Sequence, residues 1–115
     1  MVNMTIREDS GNLLLYIYKC KIKEIEILNS NQLLLNETGW NNDRLNNAIQ
    51  YLVEKRFVDG NVIKGLGSTK IQHALISDIT HLGIDIVEAE SKFKQIFGFT
   101  VNLGVIQINW GVQES

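Results

Sequence analysis

Asn42, Arg44, Asn46, Asn47 and Gln50 crowd the short stretch "NNDRLNNAIQ", and their side chains share one competence. A carboxamide carries a donor and an acceptor side by side, which matches adenine N6 and N7, while a guanidinium matches guanine O6 and N7. A second group, Lys64, Ser68, Thr69 and Lys70, surrounds the glycines of "KGLGSTK". Ammonium and hydroxyl groups are common phosphate ligands, and Gly65 and Gly67 let the backbone turn tightly. Both groups also suit a plain solvated surface, where Asn, Gln, Lys and Ser are at home. Asp43 and Glu54 share the amide-rich side and would repel phosphates.

Other chemistry finds little support. "GLGSTK" lacks the spacing of a phosphate loop and is followed by a strand pattern where such a loop needs a helix. His73, His81 and Cys20 are too few and too scattered for a closed zinc site. Ser77, Asp78 and His81 lie close in sequence, but alternation along a strand sends their side chains to different faces. Asp78 and His81 read as turn and cap residues, and Cys20 as a small core residue. The residues predict no catalytic site, no metal and no cofactor.

These groups must be held by elements that the pattern predicts in turn. Ser10 reads as the cap of a first helix with Leu13, Leu14, Ile17 and Tyr18 inward, ending near Lys21. "EIEI" (Glu24 to Ile27) alternates with period two and predicts a short strand. Asn29 or Ser30 opens a second helix that Gly39 stops. Asn41 or Asn42 caps a third, Asn42 to Arg56, with Leu45, Ala48, Ile49, Leu52 and Val53 on its buried side. Trp40 precedes it as a packing anchor between the two helices. "FVDGNVIKG" and "IQHALISDIT" are β-branched and flank the glycine-rich link, predicting a hairpin. Thr80 caps a fourth helix running through "HLGIDIVEAESKFKQIFG", and the tail "FTVNLGVIQINW" is again strand-like.

The order of these elements, carried by "NQLLLNETGWNNDRLNNAIQYLVEKRFVDGNVIKG" and "ISDITHLGIDIVE", resembles the winged helix-turn-helix family over roughly Ser10 to Glu90. The resemblance implies an α+β fold with a three-helix core and a β-wing, here followed by an extra helix and a strand or hairpin tail. Residues 1–90 would form the winged domain and 91–115 a C-terminal extension. It further implies a transcriptional regulator whose third helix enters the major groove of double-stranded DNA, with the wing Lys64–Lys70 on flanking phosphates. The same fold without that role would be a module for a protein partner.

Composition constrains both readings. Among 115 residues the net charge is only −2, so affinity for phosphates would have to come from a local patch. No apolar run approaches the roughly 20 residues that cross a bilayer. No secretory signal opens the chain, and the single Cys20 suits a reducing, cytoplasmic setting. In the tail, Val101, Leu103 and Val105 share one parity and Ile106, Ile108 and Trp110 the other, with Gly104 at the switch. That change predicts a bulge or a tight turn through "NLG". The row Ile106, Ile108 and Trp110, with Phe93 and Phe97, is expected to make a two-fold homodimer contact, the alternative being a fold back on the first helix.

Overall fold

The computed structural model describes residues 5–28, 30–67 and 71–111, without the side chains of Ile71 and Gln72. Its first helix, α1 (Ile6–Ile22), begins at Thr5 rather than at Ser10. Thr5 and Glu8 form a reciprocal capping box: the Thr5 hydroxyl accepts from the Glu8 amide at 3.1 Å, and the Glu8 carboxylate accepts from the Thr5 amide at 3.3 Å. Two free amides are satisfied at once, which sets the start one turn early. Ser10 is instead fully buried, its hydroxyl donating to the Ile6 carbonyl at 2.6 Å. Burial extends almost all round α1, because three other helices and the second hairpin strand pack on it. Gly11 permits this: a Cβ there would lie 2.8 Å from Phe97 and Phe99.

At the end of α1 the Ile25 amide reaches back to the Cys20 carbonyl at 2.9 Å, and Glu24 takes φ +54°. The same wrap ends the third helix, where Phe57 bonds the Leu52 carbonyl at 3.0 Å and Arg56 has φ +63°. This left-handed position usually holds glycine, because a Cβ crowds the following carbonyl. Replacing the exposed Arg56 with glycine should therefore stabilise the fold by about 0.5–1 kcal/mol, the relief exceeding the added freedom of the unfolded chain. A thermal melt checks it, with a rise of roughly 3–5 °C expected.

The Glu24–Ile27 stretch leaves the turn at Glu24 and belongs to no strand. Alternation specifies facing, whereas a strand needs a ladder partner, and a cavity separates this stretch from the nearest one. Helix α2 (Asn31–Thr38) follows, with Ser30 in extended backbone before it and Gly39 left-handed after it at φ +73°. Asn29 lies outside the described residues. Helix α3 (Asn42–Glu54) is capped by Asn41, whose Oδ1 accepts the Arg44 amide at 2.8 Å. It ends before Lys55, two residues short of the expected Arg56, where the chain wraps as described.

Strands β1 (Val58–Lys64) and β2 (Ile71–Ile79) pair antiparallel, Val58 opposite Ile79 and Asn61 opposite Leu75. The register shifts by one between Asp59 and Gly60, leaving Ser77 as the extra residue of a bulge in β2. Gly60 sits at this step, where a Cβ would lie 2.1 Å from the Leu75 carbonyl. Thr80 then ties hairpin to helix: its hydroxyl donates to the Arg56 carbonyl at 2.6 Å and accepts from Gly83 at 3.0 Å.

The expected single fourth helix is two, α4 (His81–Glu88) and α5 (Glu90–Phe97), broken at Ala89 (φ −102°, ψ 85°). The bend lets both pack against α1. The tail from Phe99 to Gly111 contains no strand. It turns through "NLG", with the Val105 amide on the Asn102 carbonyl at 3.2 Å, and then lies along the body of the domain. The protein is thus a small α+β domain of five helices and a two-stranded antiparallel sheet among the described residues. One core crosses the expected boundary at residue 90, since Phe93, Phe97 and Val101 join Leu13, Leu45 and Ile76. Among the described residues, no helix is long and apolar enough to cross a membrane.

Candidate nucleic-acid interface

Helix α3 turns Leu45, Ala48, Ile49 and Leu52 inward. At about 100° per residue this sends Asp43, Asn47, Gln50 and Glu54 outward. Asn42, Asp43, Asn47 and Glu54 are exposed, and Gln50 is half-buried with its amide donating to Glu54 Oε1 at 3.0 Å. The outer face thus presents amides between carboxylates and carries no cation.

Two of the expected readers work inside the molecule. Asn46 stands about 100° from Leu45, at the margin of the buried side. Helix α2 covers it: Asn46 is 4% exposed and accepts from Asn31 Nδ2 at 3.4 Å. Arg44 turns back toward α1 and the tail, its side chain 25% exposed. Its Nε and Nη2 donate to both oxygens of Asp9 at 2.7 and 2.8 Å. Nη2 also donates to the Trp110 carbonyl at 2.9 Å, and Nη1 to the Gly111 carbonyl at 3.0 Å. The guanidinium lies 4.8 Å from the centre of the Trp40 ring. With its fork filled and stacked, Arg44 has no geometry left for a guanine.

The residues at the far ends of these bonds escaped the sequence reading. Asp9, its side chain only 4% exposed, stands in the first turn of α1, where the helix dipole favours an acid whatever its partner. Its link to Arg44 spans 35 positions and leaves no local trace. Trp40 behaves as the expected anchor, 6% exposed, its indole N–H donating to the Trp110 carbonyl at 2.6 Å. Trp110 packs edge-on against both Trp40 and Tyr16, with ring centres 5.5 and 5.9 Å away.

The tail residues given to a dimer contact are likewise covered by their own chain. Phe93 and Phe97 are fully buried, and Ile106, Ile108 and Trp110 are half-buried against the same core. Asn12 helps to fix this path by accepting the Asn109 amide at 3.0 Å. Within one chain the apolar row thus folds back on α1, with Trp110 against Tyr16 and the Asn109 amide on Asn12.

On the hairpin, Lys64 is exposed. Ser68, Thr69 and Lys70 lie outside the described residues. Gly67 takes φ +70°, and Leu66 beside it is fully exposed. The other groups weighed for chemistry stay apart: Cys20 is buried in α1, His73 is half-buried in β2 and His81 is exposed at the start of α4. Asp78 faces Lys21 at 3.1 Å. The Tyr18 phenol donates to Glu88 at 2.6 Å, and its burial, then that carboxylate, push its pKa up to about 12. Tyr16 is also raised to about 12, by burial first and next by its bond to Cys20.

No family model matches the chain, and neither a curated protein nor a solved structure matches it.

Proposed function

We propose that this chain is a winged-helix domain serving as a protein-binding module rather than as a reader of DNA sequence. Three helices followed by a two-stranded hairpin, with a glycine turn between the second and third, support the winged-helix reading. One observation carries the choice of partner. Arg44, the cation of α3 best suited to bases and phosphates, is locked to Asp9 and two tail carbonyls. What α3 offers outward is Asp43 and Glu54 around neutral amides, a face that repels a polyanion. A cytoplasmic setting fits the buried thiol of Cys20.

DNA binding is the second reading, favoured by exposed Asn42 and Asn47 and by Lys64 on the hairpin. A salt series separates the two. Anisotropy of a labelled duplex of about two helical turns should show weak binding whose logarithm changes little with log salt. Each phosphate contact would add a slope of about −0.9. A slope of roughly −3 or steeper would restore the DNA reading, and loss on Asn47→Ala for one sequence only would make it specific.

A further inference from the structure

The cavity between the Glu24–Ile27 stretch and β2 encloses about 680 Å³. Its second wall is Leu75, Ile76, Ser77 and Asp78. Asn61 of β1 also lines the cavity, and the Ser77 bulge breaks strict alternation here, so the space opens beside the sheet at β2. The only strand paired with β2 among the described residues is β1, which leaves the other edge of β2 without a ladder partner. Opposite runs the Glu24–Ile27 segment, which belongs to no helix or strand, and the Lys21–Asp78 ion pair at 3.1 Å joins the two walls.

The lining selects an occupant. Lys21 and Asp78 cancel each other, whereas Glu24 and Glu26 are exposed and make no ion pair among the described residues. The groove is therefore acidic. Between the acids, Ile25 is 57% exposed, and Ile27 and Leu75 are half-buried. Its volume lies in the range of ordinary ligand sites, roughly 300–1,000 Å³. The Ser77 bulge interrupts the edge, which discourages long edge-to-edge pairing and restricts a guest to a short stretch.

We propose that this groove receives a short extended segment of a partner protein in which basic and apolar residues alternate. Main-chain bonds to the edge of β2 hold it, Ile25 and Leu75 take its apolar side chains, and Glu24 and Glu26 take its cations. This deepens the protein-module reading and rests on it.

The probe is a labelled, acetylated hexapeptide alternating lysine and valine, titrated into the full chain and read by anisotropy. Saturable binding is expected, at least tenfold weaker for the Glu24→Lys/Glu26→Lys double variant. Both substitutions lie on exposed side chains, and a thermal melt verifies that the variant is folded. A block peptide with three lysines followed by three valines should bind at least tenfold more weakly, as should an alternating peptide N-methylated at every second amide. Equal binding of either control, or no saturable binding of the alternating peptide, overturns the proposal. Hydrogen exchange on the free protein adds a check. Strong protection of both Ile27 and Ser77 amides would mean that the chain's own segment closes the edge, which also overturns it. Peptide failure alongside flat DNA binding removes this groove but leaves the module reading. Steep salt-dependent DNA binding removes the reading itself.

Discussion

Replacing Arg44 with methionine should destabilise the domain by about 3–5 kcal/mol, the range for removing one partner of a buried ion pair. The Asp9 side chain is 4% exposed, so the change strands a carboxylate that water cannot solvate. It also strips the Gly111 carbonyl of its donor, leaves the Trp110 carbonyl with the Trp40 indole alone, and removes the cation from the Trp40 face. Small domains hold only about 5–15 kcal/mol in all, so the variant should sit near unfolding at room temperature. Asp9→Asn should cost less, because the Arg44 side chain is 25% exposed and keeps its carbonyl partners. Urea titration of both variants measures the difference. A second change, Asp9→Leu, should return part of the loss of Arg44→Met by removing the stranded charge. A cost below about 1 kcal/mol for Arg44→Met would class the pair with solvent-exposed salt bridges and free Arg44 for another role.

Phe93→Ala should cost about 3–5 kcal/mol, as large-to-small changes of buried aromatic residues do. Phe93 is fully buried, with the Phe97 ring centre at 4.7 Å and that of Phe99 at 5.3 Å. Truncation leaves a cavity beside the Phe97 and Phe99 rings and removes the step by which α5 and the tail are joined. Were Phe93 an interface residue, the same change would alter sedimentation and leave the monomer's melt nearly untouched. Denaturant unfolding and sedimentation on one sample distinguish the two outcomes. Unchanged stability would overturn the buried assignment.

The pattern of success follows the range of the interactions. Asn41, Gly39 and Thr80 were legible because a cap or a left-handed turn is decided within about four residues. The inward side of α3 and the two hairpin strands were legible from period alone. The start of α1 was also written locally: Thr5 and Glu8 have the spacing of a capping box, a stronger signal than Ser10. The break at Ala89 was not, since the apolar spacing from Ile86 to Phe93 and Phe97 suits an unbroken helix, and packing on α1 decides otherwise. "EIEI" carried the period of a strand without the partner that makes one.

The candidate readers divide in the same way. Asn47 and Gln50 face outward, as the helical angle requires. Arg44 and Asn46 were recruited by Asp9, Trp110 and Asn31. Type and spacing describe what a side chain can bond. They do not say which distant residue claims it first.

The Arg44 fork also has a consequence in time. It gathers Asp9 from the first helix and the carbonyls of Trp110 and Gly111 from the tail, the latter 66 and 67 positions downstream. During synthesis, α1 and α3 emerge well before those carbonyls exist. Until they do, Trp40 lacks its acceptor, and Tyr16 and Trp40 lack the ring that packs against them. Domains fold as units while the chain lengthens at about 5–20 residues per second. Residues 45–111 therefore occupy about 3–13 seconds at that rate. For that interval a nascent chain presents an open aromatic cleft, the kind of apolar surface that chaperones hold. Slow codons before Trp110 would lengthen the exposure, and faster ones would shorten it, with no change in the finished protein.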